Sequence, residues 1–130
     1  MNATYYDVAQ LLEDNGFGLL GADIFGGEWG EPDKQILCLE GVGTPSDIKA
    51  LYEQTSVQIL VRGEKRARDH DTYTVARAVS LFLLGLSECV AVNGTDYKGF
   101  EEGSNIAPLG QDTNERFMYS MNFYTYRNRG

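Results

Sequence analysis

Residues 56–63 alternate strictly, with Val57, Ile59 and Val61 on one side and Gln58, Leu60 and Arg62 on the other. That is the period of a strand with one face in a core. A different period opens the chain. Tyr5, Val8, Ala9 and Leu12 recur at helical spacing, with Thr4 and Asp7 as a capping pair and Asn15-Gly16 as the stop. Residues 17–27 read as a glycine-broken strand, and 28–33 as the tip of a hairpin or a longer loop. Residues 34–41 are apolar on both sides at Ile36, Leu37, Cys38 and Leu39, so this strand is expected at the centre of a sheet. Thr44, Pro45 and Asp47 form a helix start, with a short helix running through Gln54. The longest helix is placed at about 72–86, capped by Asp69 or Asp71. Its stripe is Val75, Val79, Phe82, Leu83 and Leu86, and Leu81 and Leu84 widen it until most of the circumference reads as buried. Strands at "ECVAVNG", "TDYKGFEEG" and 106–128 close the chain. The order α-β-β-α-β-α-β-β-β predicts an α+β fold: a mixed, mainly antiparallel sheet with helices packed on it and a long C-terminal strand or hairpin.

A length of 130 residues suits a single domain, 1–130, able to bury one core. No signal peptide or membrane span is expected, because the start lacks a basic and apolar leader and the longest apolar run, 78–86, is too short for a bilayer. Nineteen acidic against eleven basic residues leave a net charge of −8, which argues against a protein that grips phosphates. The one dense basic cluster, "RGEKRARDH" (62–70), reads as a solvated loop. Cys38 and Cys89 lie in apolar, strand-like runs and read as buried free thiols of a reducing compartment.

Candidate chemistry is thin. His70, in "RDHDT", has no second histidine or acidic cluster to complete a metal or acid–base site. Gly41-Val42-Gly43 sits where a phosphate loop would, but its spacing matches neither a dinucleotide fingerprint nor a Walker loop. Glu28, Glu31 and Asp33 lack the ordered spacing of a cation loop. No catalytic, cofactor or metal residue is assigned, and an enzyme is not expected. Trp29, flanked by glycine and acids, is either an exposed interface anchor or folded back on the sheet.

The closing strand points elsewhere. Extended at roughly 3.3 Å per residue, 115–127 spans about 40 Å, against about 17–20 Å for an ordinary strand. Phe117, Tyr119, Met121 and Phe123 form one face, read as core. Met118, Ser120, Asn122, Tyr124 and Tyr126 form the other, a mixture suited to meeting protein. An overlong strand is also expected to leave an exposed edge that another chain covers. Arg116 is expected to pair within the chain with Asp112 or Glu115, and Arg62 either within the chain or across a subunit boundary.

The run "SVQILVRG", the helix 71–86 and "IAPLGQDTNERFMYSMNFYTYRN" together resemble the tail terminator or minor capsid family of long-tailed bacteriophages. Val57, Gln58, Arg62 and Gly63 carry the resemblance, then Pro108, Leu109, Gly110 and Asp112, and finally Arg116, Asn122 and Phe123. It spans roughly 45–128; the first 40 residues carry little of it, and "GGEWGEPDK" is peculiar to this chain. The resemblance implies a virion protein of the tail or neck, assembled in the host cytoplasm. As a homo-oligomeric ring, expected to be a hexamer, it would cap the finished tail tube, stop tube polymerisation and join the tail to the head connector. A head–tail stopper or other neck adaptor is the alternative. The implied partners are a second copy of the chain, the tail tube protein and the connector or stopper protein. DNA would pass through without specific binding, which a net negative ring favours. Trp29, Arg62, Tyr119, Tyr124 and Tyr126 are the expected subunit or tube interface.

Overall fold

The structure is a computed structural model, described here for residues 2–41, 52–86 and 89–128. Two helices, α1 (Thr4–Asp14) and α2 (Asp69–Leu84), lie on one face of a six-stranded sheet. Its strands are β1 (Ile24–Gly26), β2 (Gln35–Glu40), β3 (Tyr52–Arg62), β4 (Val90–Val92), β5 (Thr95–Gln111) and β6 (Phe117–Asn128), in the order β1-β2-β3-β6-β5-β4. Every neighbouring pair is antiparallel except β1 and β2. This is the expected α+β fold with a long C-terminal hairpin.

Alternation along the strands builds the core. Val57, Ile59 and Val61 of β3 and Tyr119, Met121 and Phe123 of β6 point to the helices, where they meet Val8 and Leu12 of α1 and Val79 and Leu83 of α2. Ala76 and Ser80, small and buried, let α2 settle close to the strands. The stop after α1 is as the sequence implies: Asn15 is its C-cap, and Gly16, at φ +84°, takes the left-handed turn that a side chain resists.

Several expectations are corrected. Of the two readings of 28–33 the longer loop holds and the hairpin tip does not, because β1 and β2 run parallel and the loop crosses the sheet face to Arg62. The broken strand 17–27 shrinks to three residues, Ile24–Gly26, with Gly21 in the turn before it and Gly27 in the bend after it. Residues 52–54 belong to β3 and not to a helix, while the helix expected from Thr44 to residue 51 lies outside the described residues. Neither helix has a side-chain cap: the N-caps are Ala3 and Arg68, and Asp7, Asp69 and Asp71 all lie inside the first turns. α2 is buried on one side only, since Leu81 is 56% exposed and Leu84 also faces outward. Cys89 is exposed; Cys38 is a buried free thiol whose pKa burial pushes up to about 12. The long closing strand is no edge either, because β6 lies between β3 and β5.

Candidate functional site

The sheet face turned away from the helices falls into two zones. Near β1 and β2 it is closed by the 27–34 loop. Arg62 reaches out from the end of β3 and donates from Nε to the Asp33 carbonyl at 2.9 Å and from Nη2 to the Pro32 carbonyl at 2.9 Å. The Trp29 ring covers its guanidinium, with 4.2 Å from the guanidinium carbon to the ring centroid. Gln35, next to Arg62 across the sheet, accepts from the Gly30 N–H at 2.8 Å and donates to the Gly30 carbonyl at 3.0 Å and to the Pro32 carbonyl. Gly30 is required there: a Cβ would lie 2.2 Å from Cζ of the Phe25 ring. Arg116 ties the loop to the β5–β6 turn by donating to Asp33 Oδ1 at 3.0 Å and to Asp112 Oδ2 at 2.9 Å. The bond to Asp112 raises the Arg116 pKa most, with Asp33 adding to it. Burial lowers that of Arg62, and neighbouring Arg116 adds to the shift.

Beyond the loop, over β3, β6 and β5, no described helix or loop covers this face. Leu60, Met118, Asn122 and Tyr124 are half-buried there and Tyr126 is exposed. Short polar links cross the strands: Gln58 Nε2 donates to Ser120 Oγ at 3.3 Å, and Asn122 Nδ2 to Ser104 Oγ at 3.0 Å. The Tyr124 ring lies across Gly103, where a Cβ would come within 2.8 Å of it. β4 pairs with β5 only from Thr95 to Tyr97, so the rest of β5 has β6 alone beside it among the described strands. That free edge is blunted by repeated register shifts, by Pro108 and by exposed Glu101 and Glu102.

The residues expected at an interface therefore separate. Trp29 and Arg62 clamp each other within the subunit, and Arg62 is only 6% exposed. Tyr119 lies on the opposite face of the sheet, among the core residues. Its hydroxyl donates to Asp69 Oδ1 at 2.7 Å and its ring packs edge-on against Tyr73. Burial first, then the Asp69 bond, raises its pKa to about 12. Tyr124 and Tyr126 remain on the open zone. Arg116 pairs with Asp112 as expected, whereas Glu115 pairs with Arg66.

Sequence reasoning gave Asp7 only a capping role. Fully buried, it accepts from Asn93 Nδ2 at 2.9 Å and from the Tyr97 hydroxyl, joining α1 to the β4–β5 turn. The Tyr97 pKa rises to about 12, through burial and then the Asp7 bond. An acid in a first helical turn reads locally as a dipole partner, and nothing in the sequence points to a tyrosine ninety residues on. His70 is exposed, and the described residues hold no group of three side chains suited to a metal.

A family model described as bacteriophage tail terminator protein matches residues 11–128. Among solved structures, a chain of the virion of a native gene transfer agent particle superposes with a TM-score of 0.73 at 17% identity, covering 98% of this chain and 96% of that one. A second solved chain superposes with a TM-score of 0.59 at 7% identity, covering 98% and 92%. At such identities these two likenesses speak to the fold. No curated protein matches the chain.

Proposed function

This chain belongs to the bacteriophage tail terminator family, a structural protein of the phage tail, and we propose that it caps the finished tail tube as a closed ring of copies of itself. In that position it stops further addition of tube protein and offers its other surface to the head connector. The open zone over β3, β6 and β5 is the observation that carries this reading. Among the described residues no helix or loop lies over the partly exposed Leu60, Met118, Tyr124 and Tyr126, while a dedicated loop closes the rest of the same face. Tyrosine, methionine and amide side chains on one rigid sheet suit contact with protein, and no site chemistry competes for them. A ring built by rotation needs two different patches on each copy, so the open zone accounts for one surface of several. The net charge of −8 per copy would favour passage of DNA through such a ring without adhesion.

The test is tube growth in vitro. Purified protein added to polymerising tube protein should halt elongation at substoichiometric amounts and appear as a ring at one tube end in electron micrographs. Double substitution of Tyr124 and Tyr126 by serine should leave the fold intact and weaken capping. Tubes that lengthen unchecked with the wild-type protein present would sink the proposal.

A further inference from the structure

Two surfaces of this chain stand without cover among the described residues, in opposite layers of the fold. One is the open zone over β3, β6 and β5. Its floor is uncharged: Gln58, Leu60, Met118, Ser120, Asn122 and Tyr124 share that face. An acid stands at its β5 side, where Glu101 lies in register with Tyr124. Glu101 is exposed and makes no ion pair or hydrogen bond within the described chain, whereas Lys98, three residues earlier, has a partner of its own.

The other surface is the outward side of α2. At about 100° per residue, Thr74, Ala78 and Leu81 point away from the buried Ala76, Val79 and Leu83. Arg77, Leu81 and Leu84 fall within about 60° of one another around the helix. They form an exposed cation beside two exposed leucines. Arg77, too, makes no ion pair or hydrogen bond within the described chain.

The two surfaces match in size and in charge. With 16 residues at about 1.5 Å each, α2 is about 24 Å long. The zone runs along β6 from Met118 to Tyr126, about 26 Å at about 3.3 Å per residue. Three strands about 4.8 Å apart make it about 10 Å wide, the diameter of one helix. The free cation lies beside the leucines of the helix and the free acid beside a tyrosine of the sheet. Leucine on a sheet is also the packing β6 already has on its other face, where Val79 and Leu83 of α2 meet Met121 and Phe123. Because the surfaces are unlike and lie in opposite layers, a contact between them repeats from copy to copy and closes by rotation. Two open zones set against each other would stop at a dimer and leave α2 bare.

We propose that the open zone seats α2 of a second copy of this chain, with Leu81 and Leu84 of that helix on Leu60, Met118 and Tyr124 and its Arg77 reaching Glu101. The proposal deepens the ring reading and rests on it. β6 then carries a helix on each face, its own and a neighbour's.

Variants that spoil one surface each provide the test, read as solution mass by light scattering and as rings on tube ends by electron microscopy. Leu81→Arg spoils the helix and Leu60→Arg the sheet. Each should raise the concentration needed for rings roughly tenfold or more, because a charge would be buried in an apolar contact. The circular dichroism spectrum should stay that of the wild type. Mixed in equal amounts, the two variants still share one intact helix and one intact sheet, and should assemble into pairs that go no further. If Leu60→Arg loses its fold, the exposed charges decide: Arg77→Glu should weaken assembly, and adding Glu101→Arg to the same chain should restore it. Rings that persist at the wild-type concentration in Leu81→Arg would overturn the contact and leave the ring reading standing. Single subunits alone in the mixture, or dimers formed by Leu81→Arg by itself, would also overturn it. A wild-type protein that forms no ring, alone or on tubes, would remove the ring reading and this contact with it.

Discussion

The two faces of the sheet are closed by different physics. On the helix face, Val57, Ile59, Met121 and Phe123 meet α1 and α2 across an apolar layer. Contacts there are many, individually weak and undirected. On the other face, near β1 and β2, closure depends on a few directed contacts: Arg62 on two carbonyls and an indole, Gln35 on Gly30, and Arg116 on Asp33. Among the described residues, the remainder of that face has neither kind of cover. A tail protein with the proposed contacts to its own copies, a tube and a connector would have a use for a rigid sheet stabilised from one side. The loop closes only the part of the back face where Leu37 and Arg62 need burying.

The sharpest way to break this comparison is to remove equivalent apolar bulk from both faces. Ile59→Ala, at a side chain 0% exposed in the helix-covered core, should cost about 4 kcal/mol in urea unfolding. Leu60→Ala, half-buried on the open zone, should cost about 1 kcal/mol, because water already reaches part of that side chain. Equal costs would mean that the back face is covered after all.

Arg62→Ala comes next, at about 3 kcal/mol. It strands the Asp33 carbonyl, leaves the Pro32 carbonyl to Gln35 alone and uncovers the Trp29 ring. Arg62→Lys should recover little of this, because an ammonium reproduces neither the fork nor the stack. Trp29 is the only tryptophan, so its fluorescence reports directly on the clamp. An emission spectrum unchanged in Arg62→Ala would show that the loop holds its place without the guanidinium.

How much of this was legible in the sequence follows from the range of each interaction. The β3 alternation, the α1 stripe and the Asn15-Gly16 stop are local, and they stand as read. The pairing of Arg116 with Asp112 is nearly local and stands too. What failed depends on partners far along the chain. Arg62 is expected to seek a carboxylate, and the two backbone carbonyls it finds lie in a loop thirty residues earlier. Trp29 admits an outward or an inward reading, and only the parallel pairing of β1 with β2 carries its loop across the sheet to Arg62. Tyr119 is the exception to that rule: alternation, which is local, already sets it on the core face opposite Tyr124, and the core reading holds where its place among the contact residues does not. The apolar stripe of α2 overstated burial at Leu81 and Leu84, since hydropathy does not distinguish a face awaiting a partner from one already packed.

The smallest expected effect separates those two tyrosines. Tyr119→Phe deletes one hydrogen bond to Asp69, whose other side is exposed and can turn to water. The loss at neutral pH should be about 1 kcal/mol, with the mass of the proposed ring unchanged because the side chain lies inside the core. Its signature appears in alkali. The folded-state pKa of Tyr119 is raised to about 12 from 10.0, so the protonated hydroxyl contributes in full below pH 10 and its contribution is lost as pH rises towards 12. Tyr97 beside Asp7 acts in the same direction over the same window. Unfolding measured at pH 8 and at pH 11 should therefore show the wild type losing stability between the two, and Tyr119→Phe losing less. A variant with the same alkaline slope as the wild type would assign that slope to Tyr97 and to Cys38, whose pKa is likewise raised. A variant that also loses the ring would return Tyr119 to the contact surface and undo the separation of the two faces.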